Sequence, residues 1–419
     1  MSFPLNFLQF YAKRNFVSIH DLTLVTTNEI LRKIAEMELR LQDSKTRMAL
    51  KYTCVKRDPK ADPDHWEPMK LLVLTKRSGS TRTSVALIEA MDKLGGKALW
   101  LPLEQTSKVK DESYESTARN LAPYYDCIAI RDDHCADAPQ RMIESIQRYN
   151  LPTRVFNLGN GDLEHPFQTI KDLYTIQKIF PVEFETGRLT YIFLGDFEYS
   201  RVIHSDLLAL RYYGAKKIYL VGPKGKNLPL WLETDLANFK LSVTYAANLL
   251  DIAGEGDVFY FARLQKNLRN KPVTEQEEMK YAAKFGATDE LRKIMKPNAI
   301  ALHPQPHNRE ISQFLDLADR RFIYNIQADY GLPVAMALLY IFLAPEVDLD
   351  SITHISIPLS GTFDHVSVRA KDITALCVSD NCFKVRIFGN TNWLKILDPH
   401  VKESLRGKRP FIPCDTCHP

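Results

Sequence analysis

The sequence has little excess of either charge: 55 basic and 51 acidic side chains leave a formal net charge of +4 over 419 residues. A balance this close gives no electrostatic reason to expect a nucleic-acid partner or an anionic membrane surface. The composition also lacks the bias of disordered, collagen-like or coiled-coil proteins, because 45% of the residues are hydrophobic and 25% are charged. The length therefore predicts two or three globular domains with cores of ordinary size.

Long hydrophobic runs are also missing. The first ten residues are mostly apolar, but no basic residue precedes them and no small-residue cleavage site follows, so we do not expect a secretory signal. The longest uncharged stretch, residues 331–345, is shorter than the roughly 20 residues that span a bilayer, and we interpret it as a buried core helix. We therefore expect a cytoplasmic protein with reduced thiols and no membrane partner.

Cysteine is scarce, and its distribution is uneven. The first third of the chain holds three scattered thiols: Cys54, Cys127 and Cys135. The other four lie beyond residue 376: Cys377, Cys382, Cys414 and Cys417. The spacings Cys-x4-Cys and Cys-x2-Cys are typical of a structural Zn²⁺ site with four thiolate ligands and no open position. Exposed redox-active thiols are the alternative, for which the sequence shows no activating motif.

Short apolar runs alternate with amphipathic segments along most of the chain. The strand-like runs are at residues 70–74, 98–101, 127–130, 153–156, 189–194, 217–221, 258–260 and 299–302. The helical patterns are at 27–51, 84–94, 116–121, 139–149, 167–180, 201–213 and 275–285. Uninterrupted apolar strands between helices predict parallel sheets covered on both faces. We therefore expect an α/β fold of two doubly wound parallel-sheet domains, joined by a helical hinge at 167–180, with a small β-rich zinc domain after residue 345.

The turn after the first of these strands has the composition of an anion site. Residues 78–84 have the sequence Ser-Gly-Ser-Thr-Arg-Thr-Ser and lead into a helix, whose N-terminal N–H groups and dipole attract anions. Hydroxyl donors at Ser80, Thr81 and Thr83 and the guanidinium fork of Arg82 would add phosphate contacts. Simple N-capping is the alternative for so short a stretch. Without Gly-x-Gly-x-x-Gly or a Walker lysine, a dinucleotide or nucleoside triphosphate is not expected.

Polar residues follow two other predicted strands. Arg131 comes directly after the strand at 127–130, and His165 and Gln168 open the helix after the next strand. Ligands of open α/β sheets bind at the carboxyl ends of strands, so these side chains could converge on the same anion. Taken singly, each has a structural explanation: a surface charge for Arg131, a core histidine for His165 and a helix cap for Gln168.

Together these motifs resemble the catalytic chains of aspartate carbamoyltransferases. The matching segments occur in the family's order within residues 16–345: Ser80-Thr81-Arg82-Thr83, Arg131, His165-Pro166-x-Gln168, Arg201 with His204-Ser205, Arg263-x-Gln265-Lys266 and His303-Pro304. The segment at 257–266 is similar to the aspartate-specific version. Ornithine enzymes would instead carry a cysteine after a histidine in the late motif, where this chain has His303-Pro304-Gln305-Pro306.

The resemblance implies a two-substrate reaction that needs no organic cofactor. Carbamoyl phosphate would bind first, through Ser80, Thr81, Arg82, Thr83, Arg131, His165 and Gln168. L-Aspartate would bind through Lys110, Arg201, Arg263, Gln265 and Gln305. Attack of its amine on the carbamoyl carbon would give N-carbamoyl-L-aspartate and phosphate, a step of pyrimidine (UMP) synthesis. The expected catalytic set is Arg82, Thr83, Lys110, Arg131 and His165. Of these, Thr83, Arg131 and His165 would stabilise the tetrahedral oxyanion as fixed donors, so no protein nucleophile is needed.

The resemblance also implies an assembly and a division into domains. Lys110, with Ser107, looks like the family's mobile loop, which a neighbouring subunit of a homotrimer donates; a solvated charge run is the alternative. Active sites would then be shared between chains, and higher assemblies are possible. Residues 1–166, completed by a returning helix at about 328–345, would bind carbamoyl phosphate, and residues 167–327 would bind aspartate.

The segment 346–419 resembles the zinc domain of the regulatory chain that accompanies many bacterial aspartate carbamoyltransferases. Residues 361–366, Gly-Thr-Phe-Asp-His-Val, are similar to a motif near the start of that chain. Only about ten residues separate His365 from Cys377, which leaves no room for the nucleotide-binding effector domain. We therefore expect a catalytic chain fused to a zinc domain that lacks the effector domain.

Three positions depart from the family pattern. Ser78 stands where a glutamate usually ties the two domains together, Gln305 replaces a leucine whose backbone carbonyl meets the substrate, and His307 replaces an arginine. Because Gln305 and His307 border the amine pocket, carbamoylation of another amino acid such as ornithine is an alternative. A weakly active scaffold of the same fold is a second alternative, against which the retained phosphate and carbamoyl residues argue.

Overall fold

The first half of the chain forms a four-stranded parallel sheet. The computed structural model describes residues 14–43, 46–47, 50–51, 53–57, 66–76, 81–225, 227–265, 273–311 and 319–343, and the backbone of five strands between 354 and 395. Val55–Arg57 (β1) and Trp66–Pro68 (β2) form a small antiparallel pair that precedes the sheet. The sheet consists of Lys70–Thr75 (β3), Lys97–Pro102 (β4), Cys127–Asp132 (β5) and Arg154–Asn160 (β6), in the order β4-β3-β5-β6. All three of its strand pairings are parallel.

Helices alternate with these strands, as the sequence pattern predicts. They are Leu24–Gln42 (α1), Thr81–Lys93 (α2), Tyr114–Leu121 (α3) and Ala138–Arg148 (α4). Two of their starts are set by hydroxyl caps: Thr23 accepts a hydrogen bond from the N–H of Thr26, and Ser113 from that of Ser116. Residues 71–74 of β3 are fully buried, because helices cover both faces of a parallel sheet.

The second sheet is five-stranded and also parallel. Pro166–Ile179 (α5) and Pro181–Glu185 (α6) lead from one sheet to the other. The strands are Thr190–Leu194 (β7), Lys217–Val221 (β8), Thr244–Tyr245 (β9), Val258–Phe261 (β10) and Ile300–Leu302 (β11), in the order β11-β10-β7-β8-β9. The helices are Arg201–Ala209 (α7), Leu230–Asn238 (α8), Leu249–Ile252 (α9), Glu275–Phe285 (α10) and Asp289–Ile294 (α11). Two parallel-sheet α/β units are therefore present, as expected.

The chain then returns to the first unit through Tyr324–Asp329 (α12) and Gly331–Leu343 (α13). Every residue from Pro333 to Leu343 is buried, and α13 packs against α1 and α2. The ring of Phe342 lies 5.2 Å from that of Phe16 and 5.7 Å from that of Phe156, between centroids. By length and composition the helical segment Tyr324–Leu343 could cross a membrane, yet 67% of its apolar window is buried inside the protein. The predicted buried core helix is thus confirmed.

Beyond residue 346, the described strands are antiparallel. His354–Pro358 (β12) pairs with His365–Arg369 (β13), and Ile373–Ser379 (β14), Cys382–Ile387 (β15) and Trp393–Lys395 (β16) form a three-stranded sheet. This agrees with the β-type pattern expected for the segment. The change from parallel to antiparallel pairing marks it as a different kind of structure from the two α/β units.

Differences from the predicted elements have local causes. The predicted helix at 201–213 ends at Ala209, and residues 210–213 continue as turns that lead to Gly214, which has a φ of +74°. The short strand β9 was not predicted, because its two residues are too few to show a period of two. Of the three scattered thiols, Cys54 and Cys127 are fully buried in the first core, and burial raises the pKa of both. Neither is therefore a reactive thiolate.

Truncation of Phe342 should destabilise the first unit and leave the second sheet unchanged. Phe342→Ala removes an aromatic side chain that is 1% exposed, and such changes cost about 3–5 kcal/mol of unfolding free energy. Urea denaturation followed by circular dichroism measures this loss. Leu230→Ala is the control, since Leu230 is 79% exposed and should change stability by less than about 0.5 kcal/mol. Equal stability of Phe342→Ala and the natural chain would show that α13 is not part of the core.

Candidate active site

Polar side chains collect at the carboxyl ends of the first sheet's strands. Helix α2 is the next described element after β3 and begins at Thr81, so Arg82 and Thr83 lie in its first turn. Arg131 lies near the end of β5, which is the neighbour of β3 in the sheet. Ser78 and Ser80 lie outside the described residues, and only the backbone of Thr81 is described. The described part of the predicted phosphate site is thus at the edge where ligands of α/β sheets bind.

Two of the predicted arginines share one carboxylate. The Nε of Arg131 lies 3.0 Å from Oδ1 of Asp133, and Nη1 of Arg201 lies 2.9 Å from the same oxygen. Nη1 of Arg201 also donates to the carbonyl of Gly161 at 2.8 Å. Arg131 belongs to the first unit and Arg201 begins α7 of the second, so this pair joins the two sheets at their carboxyl ends.

A glycine allows this close approach. Gly159 has a φ of +115°, and a Cβ at this position would lie 3.1 Å from the guanidinium carbon of Arg201 and 3.3 Å from the ring of His165. A side chain there would have both an unfavourable backbone conformation and two tight contacts. The end of β6 therefore needs glycine for Arg201 and His165 to lie against the backbone.

The neighbours of His165 fix its charge and its tautomer. Burial, followed by the charges of Arg201 and Arg131, holds the pKa of His165 well below its usual range, so the ring is neutral. Its Nδ1 accepts a hydrogen bond from the backbone N–H of Gln168 at 3.3 Å. The proton is therefore on Nε2, which can donate to a substrate oxygen.

Gln168 is oriented by a buried carboxylate one turn further along α5. Its Nε2 donates to Oδ1 of Asp172 at 2.7 Å, which leaves its Oε1 available to accept from a substrate N–H group. Asp172 also accepts from Nε2 of Gln327 at 2.5 Å and from the hydroxyl of Tyr260 at 2.7 Å. Because Gln327 is on α12 and Tyr260 on β10, this carboxylate joins three elements around the Gln168 amide.

A second carboxyl group lies beside Asp172. Asp206 of α7 accepts a hydrogen bond from the hydroxyl of Thr169 at 2.7 Å, and its other oxygen is buried and receives no donor from the described residues. Burial and then the charge of Asp172 raise the pKa of Asp206 well above its usual range. A protonated Asp206 can donate to Asp172 through the oxygen that otherwise lacks a partner. The raised pKa of Asp206 therefore favours a form in which Asp206 keeps its proton and shares it with Asp172.

Arg263 adds a fourth guanidinium group from the second unit. It follows β10, and its pKa is lowered by burial and then by Arg131. The pKa of Arg82 is lowered by burial, then by Arg263 and Arg131, and burial lowers that of Arg201 to about 10. These mutual effects place the four cations in one cluster. Gln265 follows two residues after Arg263, and its N–H donates to Asp196 at 3.3 Å.

The side-chain amide nitrogen and the backbone N–H of Gln305 both have partners within the protein. Its side-chain amide donates to Oδ1 of Asn325 at 3.0 Å, and its N–H donates to Nδ1 of His303 at 2.7 Å. Nε2 of His303 lies 3.1 Å from Oε1 of the buried Glu310. The ring of His307 packs edge-on against Tyr324 with centroids 5.3 Å apart. The departures from the family pattern at 305 and 307 thus have local contacts of their own.

Other predicted residues lie apart from this cluster. Lys110 is exposed on a 3-10 turn at Ser107–Lys110, and no contact joins it to the site residues that the structure describes. His204, which the sequence grouped with Arg201, is fully buried and hydrogen-bonds the carbonyls of Phe197 and Leu163. It is a structural residue. Lys266 lies outside the described residues.

Two of the four predicted metal ligands lie on described strands. Ser379 of β14 is opposite Cys382 of β15, and Cys377 is two residues before Ser379. Cys377 and Cys382 are thus close together on paired strands of one hairpin. Cys414 and Cys417 lie outside the described residues.

The sequence did not indicate the acidic residues of the site. Asp172 could have been found, because it is four residues after Gln168 on a predicted helix and so lies on the same face. Asp206 and Gln327 gave no signal, since they meet Asp172 only when separate elements pack together. Asp133 looked like one of several charges in a loop.

Replacement of Asp206 by asparagine should make stability less sensitive to rising pH. Since the folded-state pKa of Asp206 is raised, the unfolded chain loses this proton first, from about pH 3.9 upward. The unfolding free energy then falls with pH by up to about 1.4 kcal/mol per unit. The asparagine side chain would keep the acceptor for Thr169 and cannot titrate. The decrease of the unfolding free energy with pH that Asp206 causes should therefore disappear.

Urea denaturation between about pH 5 and pH 8 measures the slope. Asp251→Asn is the control, because Asp251 is exposed and bonds only to the nearby Asn248 among the contacts described. Identical slopes for Asp206→Asn and the natural chain would contradict a protonated Asp206.

Known proteins resemble this chain over both α/β units. Residues 14–178 match the model of the aspartate/ornithine carbamoyltransferase carbamoyl-P binding domain, and residues 188–342 match that of the Asp/Orn binding domain. The aspartate carbamoyltransferase catalytic subunit of Methanothrix thermoacetophila is 35% identical over 275 residues, which are 65% of this chain and 86% of that protein. The multifunctional protein pyr-3 of Neurospora crassa is 35% identical over 269 residues, 63% of this chain but only 14% of that protein.

A solved structure has the same fold. The aspartate transcarbamoylase of Trypanosoma cruzi, crystallised with aspartate and phosphate, superposes with a TM-score of 0.65 at 23% identity and covers 81% of this chain and 98% of its own. Both family models, the archaeal relative and the arrangement of the two sheets agree. The chain belongs to the aspartate/ornithine carbamoyltransferase family.

Proposed function

We propose that the chain is an aspartate carbamoyltransferase. It transfers the carbamoyl group of carbamoyl phosphate to the amine of L-aspartate, giving N-carbamoyl-L-aspartate and phosphate in pyrimidine synthesis. The observation that carries this proposal is the cluster of four arginines, two from each unit, beside a neutral histidine: Arg82, Arg131, Arg201 and Arg263. Two anionic substrates that meet between two domains require such an arrangement.

Carbamoyl phosphate binds at the carboxyl edge of the first sheet. Arg82 and Thr83 in the first turn of α2, together with Ser80 and Thr81, hold the phosphate with the help of the helix dipole. Arg131 reaches the same anion from β5. Gln168 accepts from the carbamoyl NH₂ group through Oε1, because its Nε2 is committed to Asp172.

The reaction needs fixed donors and no covalent enzyme intermediate. The unprotonated aspartate amine attacks the carbamoyl carbon and forms a C–N bond, and the C–O bond to phosphate breaks. The amine loses a proton, which the departing phosphate can accept, and a ureido group results. The negative charge that develops on the carbamoyl oxygen is stabilised by His165 Nε2–H, Arg131 and the Thr83 hydroxyl. A neutral His165 suits this role, since its Nε2 proton is available at every pH above its lowered pKa.

Aspartate is the second substrate that the second unit fits best. Arg201 and Arg263 can form bidentate pairs with its two carboxylates, and Gln265 and the backbone of Gln305 complete the pocket. Ornithine would bring an ammonium group toward a cluster that already holds four guanidinium groups. The alternative of a weakly active scaffold is disfavoured by the neutral, oriented His165 and Gln168.

The remaining features extend the proposal. A structural Zn²⁺ ion held by Cys377, Cys382, Cys414 and Cys417 would stabilise the C-terminal segment, which we interpret as a fused regulatory-like zinc domain without an effector domain. The positions of Cys377 and Cys382 on paired strands of one hairpin suit a tetrahedral thiolate site. The exposure of Lys110 suits donation to a neighbouring site in a homotrimer. The enzyme would act in the cytoplasm.

Purified protein should form carbamoyl aspartate from carbamoyl phosphate and aspartate, and Arg263→Ala should impair this reaction by weakening the binding of aspartate. Without Arg263, one carboxylate of aspartate loses its guanidinium partner. The kcat/KM for aspartate should fall roughly 100-fold, while binding of inorganic phosphate is retained. Colorimetric detection of the product and calorimetric titration of phosphate measure the two effects. Arg188→Ala, at an exposed arginine, is the matched control. Turnover with ornithine but not with aspartate would overturn the proposal.

The full chain should contain about one zinc ion, and Cys382→Ser should lose it. Elemental analysis after dialysis measures the content, and size-exclusion chromatography shows whether the assembly depends on it. Cys135→Ser is the control, because Cys135 lies in the first unit and bonds Asp137. Zinc retained in Cys382→Ser, or absent from the natural chain, would remove the metal from the proposal.

A further inference from the structure

Asp133 lies between two substrate-binding arginines and touches both. Its Oδ1 lies 3.0 Å from Nε of Arg131 and 2.9 Å from Nη1 of Arg201, and its Oδ2 lies 3.4 Å from Nη2 of Arg131. The contact with Arg131 uses the Nε and Nη2 groups together, which is the fork that binds a carboxylate or phosphate in bidentate form. The carboxylate of Asp133 therefore uses the donors that an anionic substrate would need.

The neighbouring residues hold Asp133 in this place. The preceding Asp132 is buried, receives a hydrogen bond from the hydroxyl of Tyr114, and accepts from the N–H of His134 at 2.9 Å. This turn fixes the backbone on both sides of Asp133. Burial alone would raise the pKa of Asp133. The charges of Arg201 and then Arg131 outweigh burial and lower this pKa, so the carboxylate stays ionised.

The charge of Asp133 matters because the cluster contains four guanidinium groups. Among the described residues, Asp133 is the one carboxylate within salt-bridge distance of the cluster. Its side chain is 22% exposed, and those of Arg131 and Arg201 are 14% and 11% exposed, so water screens these charges only in part. One internal negative charge here offsets part of the repulsion between the arginines before any substrate binds.

We propose that Asp133 is an internal carboxylate that competes with the anionic substrates for Arg131 and Arg201 and thereby sets the affinity of the site. This inference rests on the proposed function for the identity of the substrates. A phosphate or carboxylate that binds must take over the forks from Asp133 or share them with a neighbouring like charge. Either way, Asp133 weakens the binding of anions, and its position between the units makes it affect both substrates.

Removal of this charge tests the proposal, with inorganic phosphate as the probe. Asp133→Asn keeps the size of the side chain but lacks the charge, so the Kd for phosphate should fall roughly tenfold, which corresponds to about 1.4 kcal/mol. Asp137→Asn is the matched control, because Asp137 is an exposed carboxylate four residues away in the same loop and contacts Cys135 instead of an arginine. It should leave the Kd unchanged.

The direction of the change separates competition from a merely structural role. If Asp133 only positioned the arginines, its removal would loosen them and raise the Kd, so an unchanged or higher Kd overturns the inference. Asp133→Ser, a smaller neutral side chain, should tighten phosphate binding as well, and circular dichroism confirms that both variants are folded. Raising the salt concentration should reduce the difference between Asp133→Asn and the natural chain.

Turnover distinguishes failure of this inference from failure of the proposed function. With carbamoyl phosphate and aspartate as substrates, Asp133→Asn should show a lower KM for aspartate than the natural chain. If the natural chain turns over, but Asp133→Asn has the same phosphate affinity and the same KM for aspartate, the inference alone is overturned. A natural chain that neither binds phosphate nor forms carbamoyl aspartate overturns the proposed function and the inference together.

Discussion

The mutual repulsion of four guanidinium groups is the constraint on which the rest of the site depends. Arg82 and Arg131 come from the first sheet and Arg201 and Arg263 from the second, and each experiences the charge of at least one of the others. Flexible elements would let these cations move apart. Two parallel sheets with buried central strands hold them together, because packed cores resist small displacements. The fold therefore holds the cations in position before an anion binds, so binding does not have to bring them together.

The groups around the cluster are kept neutral or paired. His165 has lost its proton, Asp206 has kept its proton, and Asp133 is paired with two arginines. A protonated His165 would add a fifth cation and could no longer accept from the N–H of Gln168. If Asp206 were also ionised, its buried Oδ2 would carry charge beside Asp172 without a donor from the described residues. Orientation in this site comes from hydrogen bonds in which each group has one defined protonation state.

Most of the fold followed from local patterns, and the exceptions show their limits. The strand Lys217–Val221 and the helix Glu275–Phe285 were predicted to the residue, since each has a clear period and a defined end. Helices α8 and α11 were not predicted, because their apolar faces are short. In the site, Arg131, His165 and Gln168 could be predicted because they lie near the carboxyl ends of strands or at the start of the helix that follows. Asp133 and Asp206 could not, because Asp133 meets Arg201 and Asp206 meets Thr169 only when separate elements pack together.

The sequence by itself determined the alternation of strands and helices, the places where strands end in polar residues, and the cysteine spacing beyond residue 376. These are local properties, set by side-chain periodicity and backbone preference. Only the tertiary structure decided which charges meet. It brought Arg131 and Arg201 onto one carboxylate, and it placed Gln327, Tyr260 and Gln168 around Asp172. Electrostatic interactions depend on distance and burial, and neither can be read along the chain.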